Sequence, residues 1–222
     1  MKLLKIEWLK LKGHPFFWIG LGLYALCMIL LVTKAGSIEW QTSDPSNPEG
    51  GQKLLNFGEA GFYKLPYIWQ NVTYMAGFFK FIPAFLLIFF VSNEFQYKTY
   101  RQNVIDGLSI GKFYLSKLMS ALLFALLSLL IIGITAWIIA ATNNSGASAA
   151  DFLENSDYLI AYFAEVFFLM VMALFLTFLF KRSTITVIII LLYYFIVEPI
   201  AGWAIGEPVS NYLPTRPSRE LI

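Results

Sequence analysis

The chain has 222 residues, of which 58% are hydrophobic and only 14% charged, with a mean hydropathy of +0.66. A soluble domain carries about 25% charged residues, so the composition excludes an ordinary water-soluble fold and points to a membrane. The net charge of +2 is too small for binding nucleic acid through its phosphates. The single cysteine, Cys27, excludes an intramolecular disulfide and a cysteine-based zinc site.

In chain order, Leu4, Trp8 and Leu11 come first, at i, i+4 and i+7 with lysines beside them, and Pro15 ends the pattern. That spacing predicts an amphipathic helix within 1–15 lying in the membrane interface, with Trp8 at headgroup level. A span needs roughly 20 predominantly apolar residues. Five stretches meet or approach that length: 16–32, 74–92, 116–141, 158–180 and 184–204. The first is long for a signal h-region and is followed by a poor cleavage site, so it reads as a retained span. Between the first two spans, 33–73 is a polar, turn-rich loop whose later part, 53–70, has enough Leu, Phe, Tyr and Trp to pack on the membrane face. The third stretch is long enough to tilt or protrude. Glu198-Pro199 interrupts the fifth, which predicts a broken or re-entrant end. The transmembrane domain is thus 16–204, followed by a polar, Pro-rich tail over 205–222.

Orientation follows from the distribution of Lys and Arg. One side holds Lys2, Lys5, Lys10 and Lys12, then Lys98, Arg101, Lys112 and Lys117, then the Lys181-Arg182 turn. The other holds Lys34, Lys53, Lys64, Arg216 and Arg219, and the short 142–157 loop has acids but no bases. The N-terminus is therefore expected to be cytoplasmic, and the 33–73 loop and the tail external. No internal repeat is evident, which weighs against an inverted-repeat carrier. His14, the single histidine, sits at a membrane boundary, and neither Gly-x-Ser-x-Gly nor His-Glu-x-x-His occurs. Catalysis is not expected.

The loop 93–117 is the informative one. It mixes charges with spaced apolar residues (Val104, Ile105, Leu108, Ile110 and Phe113), a pattern for a short helix that lies along the membrane surface and docks on another protein. Gly107 to Phe113 looks faintly like a phosphate-binding loop. However, only three residues separate Gly107 from Gly111, and Phe113 stands where Ser or Thr would hold Mg²⁺. No nucleotide site is expected there.

This segment resembles the permeases of type-2 ABC transporters. After their second span these carry an acidic residue, then Thr-x-Arg, then a Gly-hydrophobic-Ser step, then an aromatic and a Lys opening span three. Glu94, Thr99, Arg101, Gly107, Leu108, Ser109, Phe113 and Lys117 match in order and spacing, while Ile110 departs from the Arg that often follows the Ser. The resemblance implies an all-α integral membrane permease of six spans, five of them countable here, with a cytoplasmic coupling helix between spans two and three. It implies that Thr99, Arg101, Asp106, Gly107, Leu108, Ser109, Ile110 and Lys112 meet a separate nucleotide-binding ATPase subunit. ATP and Mg would be used by that partner, and this chain would bind no cofactor and have no ATPase site. It also implies a second permease subunit, identical or not, ATP-driven export, and a place in the plasma membrane, here a bacterial inner membrane. The tail would then lead toward a sixth span that the chain stops short of.

Charges near or within the spans complete the reading. Glu94 and Arg101 are seven residues apart, two helical turns, and could brace neighbouring segments at the membrane edge. Glu165 lies seven residues into span four, about 10 Å deep at about 1.5 Å per residue. It is a candidate for lining the pathway or for a structural hydrogen bond. Lys80 is expected to snorkel, and Glu198 to mark an external re-entrant segment. Two other functions stay open at this point: an ion- or proton-coupled carrier or channel built on Glu165 and Lys80, and a non-transporting membrane scaffold.

Overall fold

The computed structural model describes residues 2–35, 39–43, 52–56, 61–144, 146 and 148–205. The expected tail, apart from the end of its preceding helix, lies outside the described residues. Helix α1 (Lys2–Lys12) leads through a short turn into α2 (Pro15–Ala35), which opens on a proline. Proline suits that position, because the first helical N–H needs no intrahelical partner. Along α2 the buried residues are Phe17, Gly20, Tyr24, Met28, Val32 and Ala35, one face recurring every three or four residues. The opposite face, with Ile19, Leu23 and Leu26, is exposed and apolar all along, as a lipid-facing surface must be.

Two short strands follow, β1 (Glu39–Ser43) and β2 (Gln52–Asn56), paired antiparallel with Glu39 opposite Asn56 and Thr42 opposite Lys53. This hairpin lies in the loop read as polar and turn-rich. The second expected span is two helices, α3 (Ile68–Ala76) and α4 (Phe81–Gln96), bent by 43° across the break between them. Pro83 explains the break. It has no N–H, and its ring crowds the carbonyl four residues back, so the helix restarts in a new direction with Pro83 in its first turn.

Helix α5 (Thr99–Ile105) is about two turns long, and α6 (Ile110–Asn143) runs for 34 residues. At about 1.5 Å per residue that is about 50 Å, well beyond a hydrocarbon core of about 30 Å, so its first turns stand clear of the apolar zone. Short α7 (Ala149–Leu153) leads into α8 (Asp157–Phe180), a left-handed Lys181 ends α8, and α9 (Ser183–Leu192) begins two residues later. The fifth span differs from expectation: Ser183–Ala204 is one continuous helical path, not a broken or re-entrant one. Its hydrogen bonding widens to a π turn over Tyr193–Val197 before α10 (Glu198–Ile205). Pro199 cannot donate and would clash with a regular ladder, and the neighbouring Glu198 N–H bonds to the Tyr193 carbonyl five residues back.

Among the described residues four helices are long and apolar enough to cross a membrane, and five spans result if the bent α3–α4 pair counts as one. Helix α6 is the centre of the bundle: α1, α2, α3, α4 and α8 all pack on it. Its buried stripe is largely small residues, among them Ser120, Ala121, Ala125, Ser128, Ala136 and Ala140. In lipid there is no hydrophobic drive between helices, so close backbone approach over small residues supplies the packing energy. Mid-bundle, the hydroxyls of fully buried Tyr24 and Tyr162 bond to each other at 2.8 Å, tying α2 to α8. At the end away from α1, Tyr63 donates to the Val32 carbonyl at 2.6 Å. There too the Asn144 side chain joins Tyr63 and Leu65 to the end of α6, and Trp69 donates to the Phe152 carbonyl.

At Gly20 α2 packs tightly on α4, since a Cβ there would overlap the Leu86 side chain, whereas Gly22 faces open space. Gly20→Ile is therefore expected to overpack the α2–α4 contact by about 1–3 kcal/mol, and Gly22→Ile to be nearly neutral. Thermal unfolding in detergent distinguishes them, the first losing several degrees and the second little.

Candidate functional site

The segment singled out in the sequence is a compact turn-helix-turn at the α1 end of the bundle. Lys98 enters it with a positive φ of 57°, and the Thr99 hydroxyl donates to the Glu94 carbonyl at 3.2 Å as α5 begins. At the far end Gly107 has φ 95° and the Leu108 N–H reaches the Asn103 carbonyl at 3.0 Å. That is the Schellman way of closing a helix, and it needs a residue that tolerates a left-handed backbone. Ser109 then caps α6, accepting from the Lys112 N–H at 3.4 Å. Sequence alone accounts for this turn: a glycine to stop one helix, a serine to start the next.

Thr99, Arg101, Asp106, Gly107, Ser109, Ile110 and Lys112 are exposed, and Leu108 is half-buried. Ile105 is 77% and Ile110 61% exposed, so the turn presents apolar side chains outward between charged ones. Asp106, just past the end of α5, accepts from Gln102 at 3.1 Å. Arg101 donates to the neighbouring Tyr100 hydroxyl at 2.9 Å, and that bond draws the hydroxyl below its ordinary value and raises the guanidinium. Beneath the turn, Phe95 of α4 lies against Tyr100, Phe113 and Phe178, so one ring on α4 seats α5 and also packs on α6 and α8.

A second charged site lies inside the bundle. Lys80, just ahead of α4, and Glu165, on α8, are each 2% exposed and form an ion pair. The Lys80 ammonium also donates to the Tyr194 hydroxyl at 2.8 Å and stands 4.6 Å from the centre of that ring. This corrects the expectation that Lys80 snorkels: the α3–α4 break turns it inward, where a carboxylate and an aromatic face replace water. The π turn sets Tyr194 at this point. Glu198 is likewise buried, 1% exposed, rather than in an external re-entrant segment. Among the described residues no group of three or more His, Cys, Asp or Glu is placed to hold a metal ion.

Sequence reasoning gave no role in the site to two of its most connected residues, Glu7 and Lys10, and named the third, Lys117, only as a match to the motif. Lys117, 2% exposed, donates to Glu7 at 2.8 Å and to Glu94 at 2.6 Å. Lys10 reaches both acids at 3.3 Å, and the Ser120 hydroxyl donates to Glu7 at 3.1 Å. Glu94 thus braces α4 to α1 and α6, with partners other than Arg101. A signal existed: Glu7 is the one acid among the lysines of α1. Its partner, however, lies 110 residues away.

Burial pushes the Glu7 carboxyl up, but Lys117, Lys10 and the Ser120 hydroxyl outweigh it and hold the group below the ordinary 4.5. Burial pushes Lys10 down, and Glu94 and Glu7 more than reverse that, leaving it above the ordinary 10.5. A lowered acid stabilises the fold above its unfolded value and loses that stability as pH falls through its folded value. A raised base does so below its unfolded value and loses it as pH rises. The attachment of α1 is therefore expected to weaken at acid pH below 4.5 and again at alkaline pH above 10.5. Denaturant unfolding in detergent across pH checks this. At neutral pH, Lys117→Met leaves Glu7 and Glu94 with only the half-exposed Lys10 as a cationic partner and is expected to cost about 3–5 kcal/mol. Lys10→Met removes a half-exposed partner and is expected to cost at most about 1 kcal/mol.

Comparison with curated proteins and with solved structures returned no match. A family described as ABC-2 family transporter protein matches residues 3–197, most of the chain, and its span contains both charged sites and the α5 turn. The chain belongs to the ABC-2 transporter family and is a multi-pass membrane protein of the permease type, the membrane component of an ABC transporter.

Proposed function

We propose that this chain is the membrane-spanning permease subunit of an ATP-driven exporter, powered by a separate nucleotide-binding subunit that docks on the α5 turn. The observation that carries the reading is the mechanical connection of that turn. An exposed turn with outward apolar side chains, Ile105 and Ile110, is held on α4 by the Tyr100–Phe95 ring contact and through Phe95 is linked to α6, and a few residues away Glu94 and Lys117 lock α4 and α6 to each other and to α1. A push on α5 is therefore delivered to three helices at once rather than absorbed in a loop. In this reading the α1 end is cytoplasmic, in line with its basic residues, and the membrane is the plasma membrane of a bacterium. Thr99, Arg101, Asp106, Gly107, Leu108, Ser109, Ile110 and Lys112 meet the ATPase subunit. ATP and Mg²⁺ stay with that subunit, and a second permease chain completes the pathway.

A proton- or ion-coupled carrier is the second reading, favoured by the buried Lys80–Glu165 pair. It requires flux in liposomes made with this chain alone, abolished by Glu165→Gln. The exporter reading requires an ATPase to accompany the chain through purification in mild detergent.

Gly107→Val imposes a β-branched residue on a φ of 95°, and Ile105→Asp places a charge on an apolar side chain of the turn that is 77% exposed. Each is expected to lower transport-coupled ATP hydrolysis at least ten-fold while the bundle unfolds at nearly the same temperature. Undiminished coupling in both variants, or a chain that never brings down an ATPase, overturns the reading.

A further inference from the structure

We propose that the chamber beside the Lys80–Glu165 pair is an intramembrane binding site for a neutral amphipathic molecule, one with an apolar or aromatic body and a hydroxyl or amide N–H. This names a substrate class for the permease reading and rests on it.

The argument starts from an unmet hydrogen bond. Lys80 occupies one oxygen of Glu165, while the other, Oε2, is buried and has no hydrogen-bond partner among the described residues. A buried acceptor of this kind is costly when left unmade, more so at membrane depth. Glu165 and Lys80 line a chamber of about 290 Å³ at the α3–α4 break. Its other walls are mainly the rings of Tyr74, Phe78, Phe81, Tyr194 and Phe195. Ligand sites run from roughly 300 to 1,000 Å³, so the chamber fits a ring-sized head of a larger molecule.

Charge narrows the class. Lys80 already neutralises Glu165, so an incoming cation would leave a net positive centre in a low-dielectric site. An anion would meet the free carboxylate oxygen. A neutral donor completes the acceptor without adding charge, and the rings supply the apolar contact. Two backbone irregularities also converge here, the α3–α4 break ahead of Lys80 and the π turn bearing Tyr194. Local departures of this kind are frequent at functional sites.

The test uses the full chain in lipid nanodiscs with two photoreactive probes, a benzyl alcohol bearing an aryl diazirine and its methyl ether, which lacks the donor. Labelled peptides are mapped by mass spectrometry. The alcohol is expected to label 74–81 and 194–195 saturably, at least ten-fold more than the ether. The double variant Lys80→Leu with Glu165→Leu removes the acceptor without stranding a charge, and is expected to bring alcohol labelling down to the ether level. Equal labelling by alcohol and ether in the native chain, or labelling that never saturates, overturns the site as an ordinary lipid crevice, and this holds even if the double variant does not fold. Discrimination that survives in a folded double variant overturns the role of Glu165. Labelling needs no ATPase, so its failure is separable from a failure to find the ATPase subunit.

Discussion

A charge held away from water has to find its opposite inside the protein, and in a bundle surrounded by lipid that requirement decides which helices meet. Lys117 and Lys80 are both 2% exposed. Leaving either alone would cost several kcal/mol, so each draws its partners into place: Glu7 and Glu94 around the first, Glu165 and Tyr194 around the second. Through them α1 is attached to α4 and α6 at one end, and α4 to α8 and the π turn deeper in. The apolar contacts between the same helices fill the space but choose partners weakly, since lipid tails compete on nearly equal terms with side chains.

This division of labour separates two surfaces that family membership alone would not distinguish. The α5 turn is built by local chemistry, Gly107 ending one helix and Ser109 starting the next, and it is presented outward. The Lys80–Glu165 site is built by convergence of a helix break, a widened turn and α8, and its ion pair is buried. Helix α4 takes part in both, supplying Glu94 at one extremity and following Lys80 at the other.

The spans were legible from the sequence because apolar length is a one-dimensional property, and the α5 turn because glycine and serine act within a few residues of themselves. Pro83 and Pro199 were visible as breaks in principle, yet their outcomes differ, a 43° bend in one case and a π turn in the other. Which outcome a proline produces depends on what packs around it. The charged partners were not legible. Glu7 and Lys117 are 110 residues apart, and Lys80 and Glu165 are 85 apart. A lysine near a predicted span end reads as one that reaches for water until its carboxylate is seen.

Helix α4 carries its charges the wrong way round for its own backbone. Lys80 precedes its first turn and Glu94 sits in its last turn, whereas the peptide dipoles of a helix favour acids at the start and bases at the end by about 0.3–1 kcal/mol each. Neither residue therefore stabilises the helix it adjoins. Removing either charge would make α4 a better isolated helix and a worse member of the bundle. Its local and its tertiary stability pull in opposite directions, and only the latter keeps it where it is.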